Sequence, residues 1–180
     1  MAVIRAHAGR APRFGLEVFV ADTATVVGAV EVADQVSIWY GAVLRGDVGR
    51  ISIGARTNVQ DNATIHMTHR QSDALIGSDV IIGHNAVVHG ATVEDAALIG
   101  MQSVVLDNAR IGAGSWVAAG SLVPPNLVVP PGVLVRGSPA KIVRELTLEE
   151  RAWARDAASR YVELARQHRE EQLALGIRLP

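Results

Sequence analysis

The chain has 180 residues, 49% of them apolar, with a formal net charge of −1 and a pI near 6.6. That length suits one well-buried domain, and the balanced charge leaves no clustered Lys and Arg to track nucleic acid or an anionic membrane surface. With no cysteine, disulfides, thiolate nucleophiles and cysteine-type zinc sites are excluded, so any metal must be held by carboxylates and by some of the six histidines.

In chain order, the first fifteen residues lack the apolar core of a signal peptide, and no later run reaches the length of a membrane span. The expected location is the cytoplasm. Val20, Val26, Val32, Ile38 and Leu44 then recur at a step of six, and the series resumes at Ile53, Val59 and Ile65 after a short insertion at 46–50. A second comb, at the same step, runs Leu75, Ile81, Val87, Val93, Ile99, Val105, Ile111, Val117, Val123, Val129 and Val135. Period six fits neither an α-helix nor a plain alternating strand, but it fits a hexapeptide solenoid with one short strand and one turn per repeat. The fold expected for residues 1–140 is therefore an all-β solenoid, a left-handed parallel β-helix. Three hexapeptides close one triangular coil, the aliphatic comb points inward, and small residues such as Gly28, Gly54, Gly77, Gly83, Gly100 and Gly112 serve the corners.

After the proline-rich stretch 124–139 the period breaks, and residues 141–180 read as a tail and a long C-terminal α-helix. Thr147 with Glu150 forms a capping box, and Gly176 is a stop signal. Leu148, Ala152, Tyr161, Leu164, Ala165 and His168 lie near one face, which should pack on the β-helix or on a neighbouring subunit. Tyr161 and His168 read first as packing residues.

His66, His84 and His89 are placed by counting sides of the prism. Two frames compete here, and the Ile-Gly pairs favour Ile65, Ile76, Ile82 and Val88 as inward residues, with about five residues looped out after Ile65 and one lost between Val88 and Val93. His66 and His89 then each follow an inward aliphatic and share a corner, one coil apart. His84 falls one side away, so it reaches the same ion only from a second chain, as a threefold assembly would allow. Three imidazoles and an open position form a catalytic zinc arrangement. The same count puts Arg45 below His66 and Asp61 below His84, with Gln60 nearby, which suggests an intersubunit Arg45–Asp61 ion pair. His69 is either an exposed loop residue or a proton relay, and His7 carries no signal.

LRGD at 44–47, NVQDNATIH at 58–66 and IIGHNAVVHG at 81–90 together resemble the γ-class carbonic anhydrase family, and the likeness runs from VFVADTATVVG at 18–28 through RGSPAKIVREL at 136–146 to the terminal helix. The resemblance implies a homotrimer that hydrates carbon dioxide reversibly to bicarbonate by a metal-bound hydroxide, a carbonate dehydratase and thus a lyase. It implies zinc, with iron or cobalt as alternatives, held by His66 and His89 of one subunit and His84 of the next. It also implies that Gln60 orients the metal-bound water, that Asp47 stands in the active-site region, that Arg45 and Asp61 link subunits, and that Tyr161 reaches the site from the helix. The loop after His66 offers His69 and Asp73 as relay groups and no glutamate. The alternatives are a metal-dependent acyl-coenzyme A thioesterase of the same fold, an acyltransferase, and a non-catalytic metal-binding trimer.

Overall fold

The structure, a computed structural model, describes residues 1–177, with 154 and 155 described by their backbone alone. Short parallel strands stack into three faces of a prism, a left-handed hexapeptide β-helix of about seven turns with one C-terminal helix. The first face carries Phe19–Val20, Ser37–Ile38, Asn58–Val59, Ile81–Ile82, Leu98–Ile99, Trp116–Val117 and Val133–Gly137 in spatial order. Thr64–His66, Val87–His89, Val104–Val105 and Leu122–Val123 lie on the second face, and Ala74–Ile76, Thr92–Val93, Arg110–Ile111 and Val128–Val129 on the third. Two long strands, Thr25–Val32 and Val43–Ile53, bend around the corner between the second and third faces and join them into one sheet. The last strand, Ala140–Glu145, turns back antiparallel on Val133–Gly137 and closes that end.

Register shows which aliphatics fill the prism. On the second face Leu44, Ile65, Val88, Val105 and Val123 pair coil to coil, and on the third Ile53, Ile76, Val93, Ile111 and Val129 do so. All are buried, and each contributes on the order of 1.5–3 kcal/mol relative to exposure. The Ile-Gly frame therefore holds, and the longer comb is corrected at its start. Leu75 and Val87 point outward and are half-buried, and Ile81 is buried outside the prism core. The insertion 67–73 and the missing residue before Val93 shift the frame between them. The fully buried rings lie outside the prism, where Phe19 and Trp39 form a second cluster with Tyr161 and Ala165.

The turns need a left-handed backbone, which Asn adopts at lower cost than most residues, and Asn62, Asn85 and Asn108 hold φ of 58°, 57° and 59°. At Gly100 the constraint is proximity, since a Cβ would lie 2.5 Å from the backbone nitrogen of Ala119 in the next coil.

Helix α1 spans Leu148–Ala174 behind the expected Thr147–Glu150 capping box. It runs back along the outside of its own first face. Trp153 meets Trp116 edge-on at 5.7 Å, Tyr161 and His168 meet Trp39 at 5.9 and 5.1 Å, and Gln172 Nε2 donates to the carbonyl of Val20 at 3.3 Å. The buried stripe is Ala157, Ala158, Ala165 and Gln172, with Tyr161 and His168 half-buried. Leu148, Ala152 and Leu164 of the expected face are exposed instead, Leu148 at 84%. A flat sheet face admits alanine more closely than leucine, and the first turns of α1 stand away from it over a cavity of about 960 Å³. Among the described residues no helix is long and apolar enough to cross a membrane.

Candidate functional site

The corner between the second and third faces carries four polar side chains in a column. His66 and His89 end paired strands and are register partners, one coil apart as counted. The register continues to Arg45 one coil below His66, as counted, with Asp47 two residues on, and Asp107 follows one coil above, opposite Gly90. His66 Nε2 donates to Asp47 Oδ1 at 3.0 Å, and His89 Nδ1 donates to Asp107 Oδ2 at 3.1 Å. An ionised carboxylate only accepts, so these contacts place a proton on each outer ring nitrogen. The inner nitrogens, His66 Nδ1 and His89 Nε2, then face each other at 3.2 Å with lone pairs opposed. A shared cation relieves that opposition. Two imidazole nitrogens on one tetrahedral zinc would stand about 3.3 Å apart, so this spacing fits a metal.

Electrostatics favour the same protonation states. Burial pushes the Asp47 carboxyl up, but hydrogen bonds from Arg45 and His66 outweigh it and hold the pKa at about 2. Burial, aided by the Arg45 charge, lowers the His66 imidazole from 6.5 despite its bond to Asp47. Both folded-state values are depressed, so His66 contributes stability that is complete above about pH 6.5 and is lost as acid charges the ring, and Asp47 stability is lost toward pH 2. The melting temperature of metal-free protein should accordingly hold from pH 8 to about 6.5 and then decline, with a second decline below about pH 4. His66→Gln should flatten the first; calorimetry at stepped pH that finds it unchanged would refute this assignment.

A second group sits at the other end of the second-face strands. His84 occupies the turn before Val87–His89, and its Nδ1 donates to Asp61 Oδ2 at 2.8 Å. Gln60 is buried beside Asp61; its Nε2 donates to Asn58 Oδ1 at 3.1 Å, and its Oε1 is buried without a partner. Tyr161 lines the same cavity as Gln60, and burial and then the Asp61 charge raise its hydroxyl pKa.

The sequence-derived residues thus fall into two groups. Asp47, His66 and His89 stand together with Arg45; Gln60, Asp61, His84 and Tyr161 stand together a strand's length away, up to about 16 Å along the five residues from 84 to 89. Among the described residues of one chain, no three ligand-type side chains converge on a common point. Within the chain Arg45 donates to Asp47 at 2.6 Å, and Asp61 is engaged with His84. His69 is exposed, with Nδ1 3.3 Å from the carbonyl of Val48, and Asp73 accepts from the backbone nitrogen of Arg50. Two residues escaped the sequence reading. Asp107 lies in an ordinary repeat turn and shows only through its hydrogen bond with His89. Asn58 occupies an outward strand position and is nonetheless fully buried, on the face against which α1 lies.

A β-helix of stacked hexapeptide coils, with a strand-end histidine column at one corner, places the chain among the hexapeptide-repeat proteins. No family model matches it. A solved structure from Bacillus cereus, described as a candidate acetyltransferase, superposes with a TM-score of 0.91 at 40% identity, over 93% of this chain and 96% of that one. The mitochondrial gamma carbonic anhydrase 2 of Arabidopsis thaliana is 44% identical over 167 residues, 90% of this chain and 60% of the relative, so the chain spans about three fifths of that longer protein. The carbonic anhydrase of Geobacillus kaustophilus is 40% identical over 148 residues, 82% of this chain and 81% of the relative. The chain belongs to the γ-class carbonic anhydrase family.

Proposed function

We propose that this chain hydrates carbon dioxide reversibly as a metal-dependent trimer. His66 and His89 of one subunit and His84 of the next would hold one ion, zinc or alternatively iron or cobalt. The observation that carries the reading is that each of these histidines, and no other among the described residues, donates a ring N–H to a carboxylate: His66 to Asp47, His84 to Asp61 and His89 to Asp107. Metal-bound imidazoles characteristically do so, because the carboxylate fixes the tautomer and strengthens the opposite lone pair. When bound, a divalent cation held by three neutral imidazoles supplies Lewis acidity that brings the pKa of a water to about 7.

The protein supplies orientation and proton exchange. Gln60 offers a buried carbonyl oxygen as an acceptor for a reacting water, and Asn58 holds the amide in place. Asp47 stays ionised beside His66, Tyr161 borders the cavity that Gln60 lines, and exposed His69 is the group available to pass protons to solvent. In the trimer Arg45 would exchange Asp47 for Asp61 of the neighbouring subunit, and the assembly would reside in the cytoplasm. A division into a β-helix of 1–140 and a C-terminal tail with α1 suits this assembly, since α1 lies on the first face, away from the corner of His66 and His89.

Stopped-flow measurement of carbon dioxide hydration on zinc-, iron- and cobalt-loaded protein tests the proposal, with thioester hydrolysis run beside it. The apolar cavity under α1 gives the thioesterase reading its own support. Gln60→Ala should lower kcat/KM for hydration by about 10–100-fold with metal content unchanged. Hydration no faster than buffer in every metal form would overturn the assignment.

A further inference from the structure

Asp107 does more than face His89. Its Oδ2 accepts from His89 Nδ1 at 3.1 Å and from Thr68 Oγ1 at 3.1 Å, while its Oδ1 accepts from Ser72 Oγ at 2.5 Å and from the backbone nitrogen of Thr68 at 3.3 Å. Thr68 and Ser72 are the two shoulders of the loop inserted after His66. One carboxylate, 15% exposed at its side chain, therefore ties that loop to the ring of His89. Its counterpart on His66 makes no such link, because the second oxygen of Asp47 takes Arg45.

The corner is shaped to hold this contact. Gly90, directly after His89, has φ of +61°, and a Cβ there would stand 2.1 Å from Ser72 Oγ and 2.2 Å from Asp107 Oδ1. Any side chain at 90 would push the loop hydroxyl and the carboxylate apart. Elsewhere the loop is fastened at its exit, where Asp73 accepts from the backbone of Arg50 at 2.8 Å. Its tip, residues 69–71, is exposed. Asp107 is thus the side chain that takes hydrogen bonds from both shoulders of the loop, beside the backbone turn bonds of Gln71 and Ser72 to Thr68 and the contact of His69 with the carbonyl of Val48.

We infer that Asp107 is a positioning residue that holds the His89 ring and the 67–73 loop as one unit, so that metal affinity at His89 and the order of this loop are thermodynamically linked. The inference rests on His89 being a metal ligand, as proposed above. A carboxylate pinned by loop hydroxyls keeps the His89 ring in one orientation with its Nε2 lone pair turned to His66; a metal on Nε2 in turn strengthens the N–H donated to Asp107 and tightens the loop. Linkage makes the two effects reciprocal: the factor by which metal stabilises the ordered loop equals the factor by which loop order improves metal affinity.

The test compares wild type with Asp107→Ala, Asp107→Asn and Ser72→Ala, each as the full chain. Zinc affinity is read by chelator competition, the cobalt form by its visible absorption, and the loop by amide hydrogen exchange with and without zinc. Asp107→Ala should weaken zinc about 10–100-fold, shift the cobalt bands and abolish the slowing of exchange at 67–73 that zinc causes in wild type. Ser72→Ala, which touches no ligand, should weaken zinc several-fold and speed loop exchange with the melting temperature of the solenoid unchanged; Asp107→Asn, which keeps one acceptor, should fall between. If wild type binds zinc and Asp107→Asn and Ser72→Ala bind it as tightly with the same cobalt spectrum, the inference is wrong and the metal site stands. If wild type takes up no zinc or cobalt, the metal-site reading is wrong and the linkage falls with it.

Discussion

Co-expressing His66→Ala chains with equal amounts of His84→Ala chains should restore about a quarter of wild-type metal content and hydration rate, although either variant alone should show almost none. With the histidine pair drawn from one subunit and the third ligand from the next, as proposed, an interface would be intact when a His84→Ala chain supplies the pair and a His66→Ala chain supplies His84, a chance of about one in four. The control is sharper still. His66 and His89 are paired on adjacent coils of one chain, so His66→Ala mixed with His89→Ala should restore nothing. Tandem-tagged heterotrimers assayed for zinc and for hydration give both numbers; recovery in the control mixture, or none in the first, would show that the ligands are partitioned differently.

The second large effect concerns two adjacent valines. Val128 is 65% exposed and Val129 is 1% exposed, because neighbours along a strand point to opposite sides of the prism wall. Val129→Asp places a carboxylate among Ile, Leu and Val with no partner, a penalty of several kcal/mol, against total stabilities of about 5–15 kcal/mol. Folded protein should be scarce or absent. Val128→Asp, one residue away, should shift stability by only about 0.5 kcal/mol. Denaturant titrations of the two variants measure the difference directly, and comparable losses would mean that the inward frame is misassigned.

Much of this architecture is legible in the sequence because a parallel solenoid converts sequence spacing into position. Pairing by register makes His66 and His89 neighbours once the inward aliphatic before each is known, and counting to Ile65 and Val88 needs no knowledge of the rest of the fold. The same periodicity misleads where two aliphatics are adjacent. Ile81 and Ile82 both satisfy the pattern, and only the glycine after the second separates the wall-facing residue from the inward one. The helix face is legible only in its second half: Tyr161, Ala165 and His168 pack on the sheet as expected, whereas Leu148, Ala152 and Leu164 are exposed and Ala157 and Ala158 take the buried positions. Asp107 and Asn58 are beyond local reading. One gains its meaning from a histidine 18 positions earlier, and the other, outward on its strand, is fully buried on the face against which α1 lies.

That helix also bears on how long such a prism can be. From Trp153 to His168 it advances about 22 Å, while the wall beneath, from Trp116 to Phe19, advances five coils or about 24 Å. A helical pitch near 5.4 Å exceeds a coil spacing near 4.8 Å by about 0.6 Å per turn, so roughly four turns of helix cross five coils. Adding a coil to this protein would thus demand about three more helical residues, which makes α1 a gauge of the length of the solenoid it supports.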